Sequence, residues 1–408
     1  MSEAPPRIIF VNRLYWPAGA ATAQLLSDLA EGLAARGFSV HVVAAGTGAT
    51  HHHGVTIHRT GTPENHGGLV SRVWNHRSFL RAARGELNRL VQAGDTVVAL
   101  TDPPLLGILA ATVARERGAR VIHWIQDIYP EIASVHFGAL ARWLLAGLAH
   151  RRDRAWQEAG ACVTLGAEMG HMVASRGVDP ARIHLLPNWA PRELDAPATA
   201  EAIAAKRAAW ECTGKFIVAY SGNLGRVHEF ATLLDAAERL RDDPQVVFLF
   251  IGRGARYPAV AEEIKRRRLT NVRLLLPEPR SSLAAALGAA DVHAVTLAPA
   301  YSGLVYPSKL AGALAAGRPV VFVGSADGEI ARLLKAQDCG AGLAPGQGEA
   351  LATLIKAWRA DDALRHRLGA NARTVFSGRF DLASALDHWE ALLQTPGAGP
   401  KFSLPPRS

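Results

Sequence analysis

A chain of 408 residues, 49% hydrophobic and 20% charged, is too long for one ordinary core and too apolar for extended disorder, so two globular domains of roughly 150–200 residues are expected. The net charge of +9 could serve nucleic acid, an anionic membrane or acidic ligands, but only seven of the 45 basic residues are lysine, the arginines are scattered, and no nucleic-acid-binding motif accompanies them; nucleic acid is therefore set aside as a partner. Three separated cysteines without a C-x-x-C pair, no charged-then-apolar leader and no run of about 18–20 apolar residues suit buried thiols in a cytoplasmic protein, not a disulfide scaffold or a membrane-spanning chain.

Arg7 to Asn12 reads as a strand, Gln24 to Arg36 as a helix with Leu25, Leu29 and Leu33 on one face, and Phe38 to Ala44 as a second strand. The loop after the first strand, R-L-Y-W-P-A-G-A-A-T-A, lacks the G-x-G-x-x-G fingerprint of dinucleotide sites. His51, His52 and His53 would alternate faces in any strand and converge poorly on one metal, so an exposed loop is expected there. Helix Leu69 to Gln92, strand Thr96 to Leu100, the loop T-D-P-P, helix Leu105 to Arg117 and strand Arg120 to Trp124 repeat the βα pattern. Asp102 falls at a strand's carboxyl end, where open α/β sheets hold ligands. His123 lies inside an apolar strand, a position that favours a hydrogen-bonded core histidine. Gln126, Asp127, Tyr129 and Glu131 follow on the loop, and two carboxylates four residues apart at a strand end are candidates for proton chemistry.

Ala139 to Trp156 is expected as one helix, apolar in its first turns and basic in its last two. It suits either a core helix or a peripheral one, with Trp143 and Leu144 in lipid and Arg151, Arg152 and Arg154 on anionic headgroups. Strand Ala161 to Thr164, helix Glu168 to Arg176 and strand Ile183 to Leu186 finish the first half. Pro187, Pro191 and Pro197 then forbid a continuous helix and mark a hinge.

The second half restarts with strand Lys215 to Tyr220 and S-G-N-L-G-R-V-H-E-F before helix Ala231 to Arg241. Gly222 and Gly225 let the backbone approach a ligand closely, Arg226 sets a permanent charge at a helix entrance, and no G-K-[ST] makes this a Walker loop. Strand Val246 to Ile251 ends in G-R-G, helix Ala259 to Arg268 carries K-R-R-R on a solvated end, and strand Val272 to Leu275 ends in P-E-P-R. Strand Val292 to Leu297, the loop Ala300 to Tyr306, a short helix opened by Pro307 and closed by Gly317, and strand Pro319 to Val323 come next. That loop leads into a helix N-terminus after a parallel strand, an arrangement that attracts anions. Helices Gly348 to Arg359 and Asp361 to Asn371 and a last amphipathic helix in R-F-D-L-A-S-A-L-D-H-W-E-A-L-L close the chain. Two doubly wound halves, a Pro-rich hinge and anion-binding loops on both sides of it imply a cleft for a phosphorylated ligand.

The run G-L-V-Y-P-S-K-L-A-G-A-L-A-A-G-R-P-V-V-F-V-G, followed by D-G-E-I-A-R, resembles the donor-binding segment of the family 4 retaining glycosyltransferases, in the branch that builds bacterial cell-surface and exopolysaccharide repeat units. S-G-N-L-G-R resembles that family's diphosphate element, and D-I-Y-P-E its acceptor-side D-x-Y-P-E/D element. The resemblance implies a GT-B fold, α/β with two doubly wound Rossmann-like domains facing across a cleft. The acceptor-side domain would span 1–190 and the nucleotide-sugar domain 191–378, with a helix over 379–394 crossing back to the first domain and a loose tail over 395–408.

It further implies that a sugar moves with retention from a nucleotide diphosphate sugar to a lipid-diphosphate-linked acceptor; peripheral contact with the inner face of an anionic membrane is expected from the apolar and basic residues of Ala139 to Trp156. No metal or other cofactor is expected, since no D-x-D motif is evident and Arg226 and Lys309 would stabilise the departing diphosphate. On the donor side the resemblance points to Gly222, Asn223, Gly225, Arg226, Gly252, Pro279, Gly303, Leu304, Val305, Ser308, Lys309 and Glu329. On the acceptor side it points to Trp16, Pro17, Gly19, Asp102, His123 and Asp127, with Asp127, or else Glu131, orienting the acceptor hydroxyl or taking its proton. The chain departs from the family where many members carry two glutamates seven residues apart: Ser302 or Leu304, and Gly312, stand there, without the carboxylate that usually meets the ribose. A nucleotide-sugar 2-epimerase of the same fold and a non-catalytic partner subunit are the alternative readings.

Overall fold

Four consecutive buried residues, Ile8–Val11 (β1), need a strand on each side for their backbone and a packed layer on each face for their side chains. The computed structural model, which describes residues 7–64 and 69–394, supplies both. From edge to edge the first sheet runs His51–His52 (β3), Val55–Arg59 (β4), Val40–Ala44 (β2), β1, Thr96–Ala99 (β5), Arg120–Trp124 (β6), Ala161–Thr164 (β7) and Ile183–Leu185 (β8). Only β3 with β4 is antiparallel, and Ile8 registers with Val40 on one side and Thr96 on the other. The second sheet is wholly parallel: Val272–Leu275 (β11), Val246–Ile251 (β10), Phe216–Ser221 (β9), Val292–Thr296 (β12), Val320–Val323 (β13) and Gly340–Leu343 (β14).

The described residues fall into two compact units. The first holds those up to Pro187, Gly303–Tyr306 and those from Ala385 onward, and the second Asn188–Ser302 and Pro307–Ser384. In each sheet the first strand is central and the strand order reverses beside it, at β1/β5 and at β9/β12. At such a switch point the loops leaving the carboxyl ends part to opposite sides and leave a crevice for ligand. The alternation along β9 shows why its sheet is buried on both faces: Phe216, Val218 and Tyr220 enter one core cluster, Ile217 and Ala219 the other.

Several expectations change. The helix expected over Ala139 to Trp156 is two, Ala139–Leu144 and Ala146–Gln157, because Leu145 leaves helical geometry at φ −97°, ψ 0°. The three histidines are not a loop: His51–His52 completes the free edge of β4 as a hairpin, the Trp16 ring stacks on His52 at 3.8 Å, and His53 bonds Glu31 at 2.8 Å. The stretch just after the Pro-rich hinge, where no element is expected, forms a helix, Ala200–Ala209, opened by Thr199, whose hydroxyl accepts the Ala202 N–H at 3.3 Å. Strands β4 and β14 are not among those expected. In β14 the sequence G-A-G-L hides a strand because bulk cannot fit; a Cβ on Gly340 would stand 1.8 Å from the Val320 carbonyl oxygen.

The last helix is Leu382–Gln394. From Ala385 onward it belongs to the first unit, where the Trp389 ring meets Trp124 edge-on at 5.1 Å and Arg36 reaches Asp387 and Glu390, both at 2.7 Å. Leu386 covers Gly32, where a Cβ would lie 2.6 Å from its methyl carbon. The tail expected over 395–408 lies outside the described residues.

Candidate active site

In the first unit the loops after β1, β5 and β6 carry the polar groups. Arg13, two residues past β1, is 1% exposed and grips Asp102 with two bonds, Nε to Oδ1 at 3.2 Å and Nη2 to Oδ2 at 3.0 Å, while its Nη1 donates to the Glu64 carbonyl at 2.9 Å. The backbones agree, since the Arg13 N–H donates to the Asp102 carbonyl at 2.8 Å. Asp127 follows β6. Burial, helped by the charge on Asp102, lifts its carboxyl to about 6, and no cation pairs with it among the described residues. Its backbone bridges Val305, and the Ile128 N–H donates to the Leu304 carbonyl at 2.9 Å. Gly303, Leu304 and Val305, expected on the donor side, thus belong to the first unit with Asp127.

Glu131 has a different environment. Arg152 holds it by a two-bond fork, at 2.7 and 2.8 Å, and Arg176 adds a third contact at 3.0 Å. Burial alone would raise this carboxyl; the bonds and charge of Arg152, then Arg176, outweigh it and keep the group below the usual carboxylate range. A carboxylate so occupied is a counter-ion, so the alternative of proton transfer through Glu131 does not fit. The same pairing removes Arg152 from the residues expected on lipid headgroups: it is buried, and its guanidinium also bonds Asp153 at 2.6 Å and covers the Trp156 ring at 4.1 Å.

Leu105, His123, Trp124, Asp127, Tyr129, Arg152 and Trp156 help to line a cavity between β5, β6 and the neighbouring helices. His123 donates from Nε2 to the Ala155 carbonyl at 3.3 Å, and burial drives it down to about 4, so it is a neutral core histidine in the cavity wall. Trp16 is half-buried on its histidine stack, whereas Pro17 and Gly19 are exposed.

In the second unit, β9 runs into Gly222 at φ +132° and β10 into Gly252 at φ +150°. These two loops touch backbone to backbone: a Cβ on Gly252 would sit 2.0 Å from the Gly222 carbonyl oxygen, and one on Gly254 2.5 Å from that of Leu224. The Leu224 N–H donates to the Arg253 carbonyl and the Tyr220 hydroxyl to that of Asn223, both at 2.8 Å. Lys309 opens helix Lys309–Ala315, and its stem crosses the same place, since a Cβ on Gly222 would lie 2.6 Å from its Cε. Its Nζ is 2.8 Å from His228 Nε2 and 5.3 Å from the Tyr220 ring centre, and burial lowers the amine to about 8.

Asn223 and Arg226 are exposed on the loop, with Gly225 half-buried between them. Ser308 is exposed one residue before the Lys309 helix, Glu329 begins helix Glu329–Ala336, and Pro279 is exposed beside Glu278, which is held by Lys206 and Ser282. Around Gly312, where family members carry a glutamate, the nearest side chains are Leu287 and Leu194, at 3.5 and 3.7 Å from a built Cβ. A side chain there would leave the backbone between two leucines. Arg13 and His228 were not singled out in the sequence; the available signals were an arginine at the end of the first strand and a histidine two residues after Arg226.

Two doubly wound sheets, parallel except at the β3–β4 edge and each with a loop cluster at its switch point, are the architecture of the GT-B fold. Residues 6–189 match the family described as "Glycosyl transferase 4-like domain" and residues 203–375 "Glycosyl transferases group 1". The chain is 28% identical over 280 residues to the probable glycosyltransferase WbjE of Pseudomonas aeruginosa, covering 66% of this chain and 67% of that one. It is also 28% identical over 227 residues to the putative colanic acid biosynthesis glycosyl transferase WcaI of Escherichia coli K12, covering 54% and 55%. Among solved structures, Anabaena Alr3699/HepE with UDP-glucose superposes with a TM-score of 0.71 at 19% identity, over 95% of this chain and 99% of that one. WaaG, a glycosyltransferase involved in lipopolysaccharide biosynthesis, gives 0.68 at 16% over the same shares. The chain belongs to the family 4 glycosyltransferases, with the GT-B fold, and to their polysaccharide-biosynthesis type.

Proposed function

We propose that this glycosyltransferase moves a hexosyl or N-acetylhexosaminyl group, with retention, from a nucleotide diphosphate sugar to a lipid-diphosphate-linked acceptor of a cell-surface polysaccharide. The observation that carries the donor half is Lys309, a half-buried ammonium whose stem lies against the Gly222 loop, with no carboxylate pairing it among the described residues. As the bond from the anomeric carbon to the diphosphate oxygen breaks, negative charge gathers on the leaving group, and Lys309 and Arg226 supply positive charge to meet it. Asp127 carries the acceptor half, since a carboxyl near 6 can orient the attacking hydroxyl and take its proton at neutral pH. Arg13 and Asp102 hold the loops beside it. Retention rests on family membership. UDP-glucose, bound in the HepE structure, is the first donor to try.

Contact with a membrane is supported by consecutive short helices that expose Phe137 at 70%, Leu140 at 69%, Trp143 at 74% and Leu144 at 64%, next to the exposed Arg142 and Arg151. No described helix is long and apolar enough to cross a bilayer. Incubation with labelled nucleotide sugars, with and without bacterial membranes, tests the whole reading. Label reaching lipid is the expected result; an interconverted sugar would make the chain an epimerase, and binding without turnover a partner subunit.

A further inference from the structure

His228 stands between a group that can only accept and one that can only donate. The Thr296 carbonyl, at the end of β12, is 2.6 Å from His228 Nδ1, so that nitrogen carries the imidazole proton. Nε2 is then a lone pair, and Lys309 Nζ donates to it at 2.8 Å. The tautomer is dictated by the two partners. His228 is 6% exposed, and burial, then the nearby charge of Lys309, lowers it to about 4, which keeps it an acceptor throughout the neutral range. Among the described residues, Tyr220, from β9, also faces the ammonium through its ring.

We propose that His228 is the positioning residue for Lys309: a neutral imidazole, anchored on the Thr296 carbonyl, fixes where the ammonium stands and stabilises its charged form without cancelling that charge. The choice of an imidazole has a physical consequence. A carboxylate partner would orient the lysine equally well but would neutralise it and compete with an incoming phosphate, whereas a neutral acceptor leaves the full positive charge available. Gly222 completes the seat, since any side chain there would displace the lysine stem. The inference deepens the assignment of Lys309 to the donor diphosphate and rests on it.

The test has two readouts on the full chain. With only seven lysines present, carbon-13 labelling of the lysine Cε allows the Lys309 resonance to be assigned by its loss in Lys309→Met and followed through a pH titration. In His228→Leu, which keeps bulk but removes the acceptor, the Lys309 midpoint should move to lower pH, because the charged form loses its partner. The dissociation constants for UDP and for inorganic diphosphate should rise about ten-fold, the order of one charged hydrogen bond. His228→Gln, whose carboxamide oxygen can accept the same bond, should restore most of both. An unmoved midpoint in the correctly folded His228→Leu or, should that variant not fold, a His228→Gln variant that behaves like Lys309→Met, would overturn the positioning role. If Lys309→Met itself leaves both ligands bound as in the wild type, the diphosphate assignment falls, and the titration alone decides the role of His228.

Discussion

The two units share a topology yet neutralise their charges in opposite ways. In the first, the arginines nearest the strand-end loops are matched with carboxylates, Arg13 with Asp102 and Arg152 with Glu131, and among the described residues of those loops the acid Asp127 has no cation paired with it. In the second, Lys309 is a cation without a carboxylate partner among the described residues, tied instead to a neutral imidazole. Burial penalises whichever form is charged, so it pushes the two toward neutrality from opposite directions, Asp127 up to about 6 and Lys309 down to about 8. Side chains already satisfied by a partner hold loops together; those left unmatched at a switch point are the ones available to a substrate.

The sharpest way to break this comparison is at Asp127. Asp127→Asn should lower turnover by about 10²–10⁴-fold, the range for loss of a general acid or base, while UDP affinity stays constant in calorimetry. In the wild type, turnover should climb with pH through about 6 as Asp127 sheds its proton, and that limb should vanish in the variant. Next in size is Arg152→Leu, which removes the two-bond fork from the half-buried Glu131 and leaves it Arg176 alone; stability in chemical denaturation should fall, by less than the ~3–5 kcal/mol of a fully stranded buried charge. Because the folded pKa of Glu131 lies below its unfolded value, its contribution is complete above the unfolded pKa and is lost as pH falls through the folded one; the gap between wild type and variant should close in acid. Arg226→Ala should raise the UDP dissociation constant about ten-fold, or ~1.5–3 kcal/mol for one charged bond, and Arg226→Lys should not fully restore it. Nucleotide affinity in the wild type should also fall as pH rises through about 8, where Lys309 loses its charge.

How much of this could be read beforehand depended on how far each residue's partner lies along the chain. Strands such as V-V-F-L-F-I announce themselves because they are buried on both faces, and the glycine loops because only glycine tolerates such approaches. β14 did not, its glycines serving a clearance visible only beside Val320. Arg152 and Arg154 are indistinguishable within R-R-D-R; Arg152 is taken by Glu131, 21 positions away, while Arg154 stays exposed beside Glu158. Arg13 and Asp102 are 89 positions apart, and His228 and Lys309 81, so no local pattern could have joined them. Gly303 to Val305 was read correctly as a loop, but its backbone partners, Asp127 and Ile128, put it in the other unit.

The smallest expected effect concerns surface rather than site, and it sharpens the comparison from outside. Of the large hydrophobic residues exposed among those described, Leu276 alone lies in the second unit; the others, from Val73 and Trp74 to Leu144, lie in the first. If that asymmetry marks a lipid-facing surface, the protein should co-sediment with anionic vesicles at low salt and be released as salt rises, since each basic residue near the leaflet contributes ~1 kcal/mol screened over ~8 Å. The arginines to change are Arg142 and Arg151, because Arg152 is committed to Glu131 and Arg154 to Glu158. Arg142→Gln with Arg151→Gln should weaken sedimentation on anionic vesicles only, whereas Phe137→Ser with Trp143→Ser should weaken it on every vesicle, because apolar burial does not depend on headgroup charge. Neither pair should alter UDP affinity, which the proposed function assigns to Lys309 and Arg226 in the second unit. Equal binding to neutral and anionic vesicles by the wild type would remove the arginines from the account, and no binding to either would remove the surface altogether.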